Sequence, residues 1–115
     1  MPNYSKSKLI LVQYPFSDLS ASKVRPAIVI NAPHPSEDII IVPITSRLAS
    51  LLPGEFVLTN WQIAGLNVPS AVKRGIFTIQ QKLVRKVLGQ LQSDDANQLD
   101  FSIQFWLDIT AQPEE

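Results

Sequence analysis

Up to about residue 92 this sequence is a succession of short apolar runs cut by prolines and turn-forming clusters, and that rhythm limits the fold more than any other feature. Residues 8–14 (KLILVQY) form an apolar run rich in strand formers, ended by Pro15. Residues 24–31 (VRPAIVIN) are β-branched, with Pro26 near the start, where a missing N–H is tolerated. Residues 38–43 (DIIIVP) are continuously apolar after Asp38, the pattern of a strand covered on both faces. Shorter runs at 54–58, 68–73, 75–79 and 87–92 complete a sheet-rich body. Nine prolines and the clusters SDLSASK, PHPSED and AGLNVPS separate these runs.

The period changes near the C-terminus. Ser93 is placed to cap a helix, with Asp94 and Asp95 in its first turn, where negative charge suits the helix dipole. Leu99, Ile103, Trp106 and Leu107 then share one helical face, and Phe101, Phe105 and Ile109 form a second stripe beside it. One stripe is enough to dock a helix on a sheet. The second predicts either a deeply inserted helix or a further buried surface such as a dimer interface. Short helices are also expected after Ser46 (RLASLL) and around residues 80–85. The expected class is α+β, mainly β: a small, strongly curved antiparallel sheet or SH3-like barrel with short helices and a C-terminal helix.

At 115 residues the chain suits one domain over 1–115, with its core at about 8–110. A domain of this size buries roughly two-thirds of its unfolded surface. Cysteine is absent, which removes disulfides and thiolate metal sites and fits a reducing cytoplasm. The N-terminal apolar run is too short for a signal sequence or a membrane span. Ten basic residues balance ten acidic ones, whereas nucleic-acid binders usually carry a basic excess. The charges are segregated, however. Residues 73–86 hold five basic side chains and no acid, and residues 94–115 hold six acids and no base. A basic surface can therefore coexist with an acidic C-terminal helix, or both are simply solvated faces.

Several chemistries are excluded or disfavoured. The single histidine, His34, sits in a PHP turn, so a two-histidine acid–base nuclease is impossible. No His/Asp/Glu cluster has metal-ligand spacing, and the early carboxylates are scattered. The four glycines stand singly, so no phosphate-binding loop is present. Three local patterns remain, and each has an ordinary reading. Arg25 in VRPA suits a strand end. Thr45 and Ser46 in PITSR suit a turn or a cap for the following segment. Pro69 and Ser70 in PSAVKR suit a turn.

Taken together and in order, these segments resemble the MazF/PemK toxins. The run LILVQYPFSDLSASKVRPAIVI is similar to that family's opening hairpin, IIIVPITSR to its third strand and exit, PSAVKRGIFTI to its P-S-x-V-[KR] strand, and LVRKVLGQLQSDD to its ending. The resemblance covers roughly residues 8–110. It implies a homodimer of compact β-rich subunits and a cytoplasmic, growth-inhibiting toxin held in check by a cognate antitoxin protein. It also implies sequence-specific cleavage of single-stranded RNA without metal or cofactor, through 2′-hydroxyl attack, giving 2′,3′-cyclic phosphate and 5′-hydroxyl ends. The family's catalytic arginine and threonine match Arg25 and Thr45. The resemblance further implies Ser46, Ser70 and Lys73 as secondary phosphate or base contacts, and Phe16, in the hairpin loop that would border the groove, as an RNA-binding base stacker or a core residue. Two other expectations stand beside this one: a non-cutting toxin of the same fold that poisons a protein such as DNA gyrase, with Trp106 as anchor, and an inactive RNA-binding relative.

Overall fold

The computed structural model describes residues 4–13, 23–31 and 34–109. Seven strands and one helix follow in order: β1 Lys8–Gln13, β2 Val24–Val29, β3 Asp38–Thr45, β4 Phe56–Val57, β5 Ala71–Val72, β6 Phe77–Gln80, β7 Val84–Gln90 and α1 Ser93–Leu107. The order across the sheet is β4-β5-β3-β2-β1-β7, and β6 joins the N-terminal half of β3. All pairings are antiparallel.

The apolar run of β3 is explained by its position. It pairs with β2 on one edge and with β5 and β6 on the other, and most of its side chains are buried. Alternation along β1, β2 and β3 divides the core between the two sheet faces. Leu9, Ile28, Val42 and Ile44 pack on one side with Val72, Leu91 and Leu99. Ile10, Val12, Ala27, Val29, Ile39 and Ile41 pack on the other with Ile79. Helix α1 covers the first side through Leu99, Ile103 and Trp106, as one of its two stripes requires. Leu107 does not follow them inward and is half exposed. The second stripe lies open: Phe101 is 67% and Phe105 56% exposed.

The mainly antiparallel β character and the C-terminal helix agree with the sequence, but the barrel does not. The sheet path ends at β4 and β7, and among the described residues no strand pair joins those ends. Strand β4 has only two residues, after which the chain turns away over residues 59–65. That turn meets β7 by backbone contact instead. A methyl group on Gly89 would collide with the carbonyl oxygen of Ala64, and one on Gly65 with that of Leu88. Because both obstacles are backbone, neither can swing aside. Gly89→Ala is expected to cost about 2–3 kcal/mol through overpacking, read as a melting temperature lowered by about 10 °C. A melt within 2 °C of the parent would show that the turn yields.

Local expectations fail where side chains capture the backbone. The segment RLASLL is not a helix: the Arg47 N–H donates to Thr45 Oγ1 at 3.1 Å, the Leu52 N–H to Glu55 Oε1 at 2.7 Å, and Ser50 adopts φ 61°. The helix expected around 80–85 is a single 3-10 turn at Gln81–Leu83, and β7 begins at Val84 rather than at 87. Ser93 is the first residue of α1 rather than its cap. The cap is Gln92, whose backbone is extended and whose side chain makes no capping bond.

Asp95 does more than complement the helix dipole. It is 3% exposed, and its two carboxylate oxygens accept the N–H groups of Thr59 and Asn60, each at 2.9 Å. One side chain thereby ties the first turn of α1 to the start of the 59–65 turn. Trp106 is likewise committed inward, its indole N–H donating to the Pro53 carbonyl at 3.0 Å.

Candidate functional site

Register brings the two leading residues together. Strands β2 and β3 pair Ala27 with Pro43 and Ile28 with Val42. That pairing stops at Ala27 and Pro43, so Arg25 and Thr45 lie two residues beyond it, at the end where β2 begins and β3 stops. Arg25 pairs with Val12 of β1, and Thr45 with Ala71 of β5.

They share a cleft of about 740 Å³. The strands contribute Leu11, Pro26, Ile44 and Leu88, and the chain before β5 contributes residues 65–68 and Ser70. Arg25, Thr45, Ser46 and Arg47 come from the ends of β2 and β3, and Lys86 comes from β7. Arg25, Ser46, Arg47 and Lys86 are exposed, and Thr45 is half-buried. Among the described residues lining the cleft there are three cations and no carboxylate. A neutral chain therefore presents a locally positive concavity, which focuses its field on anions.

Thr45 is oriented by its own turn. Its hydroxyl oxygen accepts the Arg47 N–H, which leaves the hydroxyl proton free to donate to a bound oxygen. Ser70 also lines the cleft, but it is 3% exposed and its hydroxyl donates to the Val68 carbonyl at 2.9 Å. Its visible work is to hold the turn before β5. Lys73 is exposed beyond the end of β5 and is not among the cleft residues. Phe16 lies outside the described residues. Arg47, Asn67 and Lys86 line the cleft without having been singled out from the sequence. His34 lies elsewhere, its Nδ1 accepting the Ser36 N–H at 3.0 Å. No group of three or more His, Cys, Asp or Glu side chains is placed to hold a metal ion among the described residues.

Glu55 braces the chain just after β5, which carries Lys73 and Arg74. Its carboxylate accepts the Leu52 N–H through Oε1 and the Arg74 N–H, at 2.9 Å, through Oε2. Burial pushes this carboxyl up. The two backbone donors and the charges of Lys73 and Arg74 outweigh burial and hold it below its ordinary 4.5. A depressed folded-state value adds stability above the unfolded one, and that stability is lost as pH falls through the folded one. Glu55→Gln is therefore expected to be less stable than the parent near neutrality, with the gap narrowing as pH drops below 4.5. Parallel thermal melts between pH 7 and pH 3 check this, and a pH-independent gap would refute the charged brace.

Comparison with known proteins places the whole chain. The family described as "PemK-like, MazF-like toxin of type II toxin-antitoxin system" matches residues 7–107. No curated protein matches the chain. Among solved structures, an endoribonuclease in complex with its cognate antitoxin from a mycobacterial species superimposes with a TM-score of 0.77 at 12% identity, covering 97% of this chain and 100% of that one. MazF from Deinococcus radiodurans gives 0.73 at 20% identity, covering 94% and 99%. The Mycobacterium tuberculosis toxin MazF-mt6 gives 0.70 at 20% identity, covering 90% and 98%. At these identities the structures speak for the fold. No helix among the described residues is long and apolar enough to cross a membrane.

Proposed function

The chain belongs to the PemK-like, MazF-like toxins of type II toxin–antitoxin systems, and from that membership and its cleft we propose that it is a growth-inhibiting endoribonuclease. Its substrate is single-stranded RNA, cut at particular sequences without metal by the RNA's own 2′-hydroxyl. The products carry 2′,3′-cyclic phosphate and 5′-hydroxyl ends. The observation that carries this reading is the cleft that Arg25 and Thr45 share, lined among the described residues by three cations and no carboxylate.

The reaction requires deprotonation of the 2′-hydroxyl, stabilisation of a pentacoordinate phosphorane and protonation of the leaving 5′-oxygen. The described cleft is equipped for the second of these. The Arg25 guanidinium offers a planar fork of donors to two phosphate oxygens, and a pKa above about 12 keeps it charged throughout. Thr45, its oxygen already held by the Arg47 N–H, donates its proton to a phosphate oxygen. Ser46 is the exposed hydroxyl beside them and serves as a further phosphate contact. Ser70 shapes the cleft wall, Lys73 meets RNA beyond the cleft, and Phe16 stacks on a base.

Two partners belong to this proposal. One is a cognate antitoxin, whose acidic extended tail would occupy the cationic cleft in place of RNA. The solved relatives include an endoribonuclease in complex with its cognate antitoxin and MazE-MazF from Deinococcus radiodurans. The other is a second copy of this chain, for which the open stripe of Phe101 and Phe105 is available. The protein-poison alternative is weakened by Trp106, since its indole is engaged with Pro53 and packed on the core.

The test is incubation of the purified protein with a long single-stranded RNA in excess EDTA, with the ends mapped beside Arg25→Ala. Sequence-specific cuts with cyclic phosphate ends are expected from the parent and not from the variant. No cleavage by the folded, antitoxin-free protein across varied RNAs would refute the endoribonuclease reading.

A further inference from the structure

Strand β7 brings one cation into the cleft from the side opposite β3. Strand β1 pairs Val12 with Arg25 and with Val84, and Leu11 with Pro26 and with Lys86. Lys86 and Arg25 are therefore separated by one intervening strand and one row. Two inter-strand spacings put their backbones about 10 Å apart. Both line the same cleft, and Leu11 and Pro26 lie between them.

The other cations near Lys86 are not so placed. Arg85 donates to the Lys82 carbonyl and to the Gln13 side chain, and neither Arg85 nor Lys82 lines the cleft. Lys86 is exposed, and among the described residues no acidic side chain pairs with it. Its ammonium stands beside apolar Leu11 and faces a cleft lined, among the described residues, by no carboxylate. Two long side chains that enter one cleft from the strands on either side of β1 are placed to hold different phosphates of one RNA strand lying across β1.

We infer that Lys86 is a second phosphate site, holding a phosphate next to the one that Arg25 and Thr45 engage. The inference rests on the RNA reading of the cleft. It makes β7 part of the substrate track, so that RNA runs across the sheet from β3 over β1 to β7. Lysine suits this task better than the scissile position, because it acts as a mobile point charge rather than a fixed fork.

The experiment is a binding titration with a single-stranded RNA spanning a mapped cut site, made uncleavable by 2′-O-methylation there. Affinity is measured across salt concentrations for the parent, Lys86→Ala, Lys86→Arg and the control Lys82→Ala. Lys86→Ala is expected to bind about 10-fold more weakly and to lower the salt slope by about 0.7–1, as for one lost phosphate contact. Lys86→Arg should restore the slope, and Lys82→Ala should leave it unchanged. Replacing the flanking phosphates one at a time by neutral methylphosphonates should reveal one phosphate whose neutralisation weakens the parent but not Lys86→Ala. A parent that binds and cuts RNA, beside a Lys86→Ala variant with the same slope and the same response at every phosphate, overturns the Lys86 site alone. A parent that neither binds nor cuts single-stranded RNA overturns the RNA reading as well.

Discussion

Arg25→Ala is expected to lower the rate of RNA cleavage about 100- to 1,000-fold, the usual effect of removing one donor from a preorganised anion site. Fold stability should hardly change. Arg25 is exposed at the start of β2, and among the described residues no side-chain hydrogen bond or salt bridge depends on it. Its melting temperature should stay within about 2 °C of the parent's, as for most surface substitutions. Arg25→Lys should recover little, because an ammonium keeps the charge but loses the planar fork. Thr45→Ala should also lose activity, and with it the bond that the Arg47 N–H makes to Thr45 Oγ1. Single-turnover cleavage with each variant, paired with a thermal melt, separates chemistry from folding. A folded Arg25→Ala protein that cuts at the parent rate would remove Arg25 from the mechanism.

The largest effect on stability is expected at Asp95. Alanine there strips the acceptor from two backbone N–H groups, those of Thr59 and Asn60, in a side chain that is 3% exposed. Hydrogen bonds to a charged acceptor contribute about 1.5–3 kcal/mol each. Partial re-solvation of the turn lowers their sum, so the expected cost is about 3 kcal/mol and a melting temperature lower by about 10–15 °C. Asp95→Asn retains one carbonyl oxygen and should lose roughly half as much. The consequence is not confined to the helix. The 59–65 turn supports residues 65–68 of the cleft wall, so Asp95→Ala should also loosen the cleft that Asp95 never touches. Thermal melts with tryptophan fluorescence follow both ends of this link, since Trp61 follows the turn and Trp106 lies on α1. An Asp95→Ala protein melting within 2 °C of the parent would show that the clamp carries no load.

Much of this fold is legible in one dimension because its determinants are local or periodic. The apolar run that follows Asp38 announces a strand covered on both faces, and β3 is that strand, extended to Thr45. The shift to helical period after residue 92 announces α1, and Leu99 and Trp106 dock as the stripe requires. Arg25 and Thr45 each have an ordinary reading as strand-end residues, and only the resemblance to the family singles them out.

What the sequence left open depends on groups that meet only after folding. The loss of the expected helix after Ser46 follows from Glu55 and Thr45 taking its amides, contacts that propensity cannot register. The absence of strand closure follows from a two-residue β4 and a turn whose Gly65 meets β7 backbone to backbone. Asp95 reads as a helix-dipole residue, and only packing reveals the turn that it binds. Lys86 is hidden for a different reason. The pairing of β1 with β7 shifts register between Leu9 and Ile10 and again between Leu11 and Val12, and each bulge resets which residues share a face. Strict alternation along β7 therefore cannot assign the face of Lys86. The sequence by itself determined the main strands and the C-terminal helix, because backbone preference and apolar period act along the chain, while Arg25 and Thr45 stood out only through the family resemblance. Tertiary structure alone decided which cations face one cleft, because that depends on register between strands whose residues are far apart in sequence.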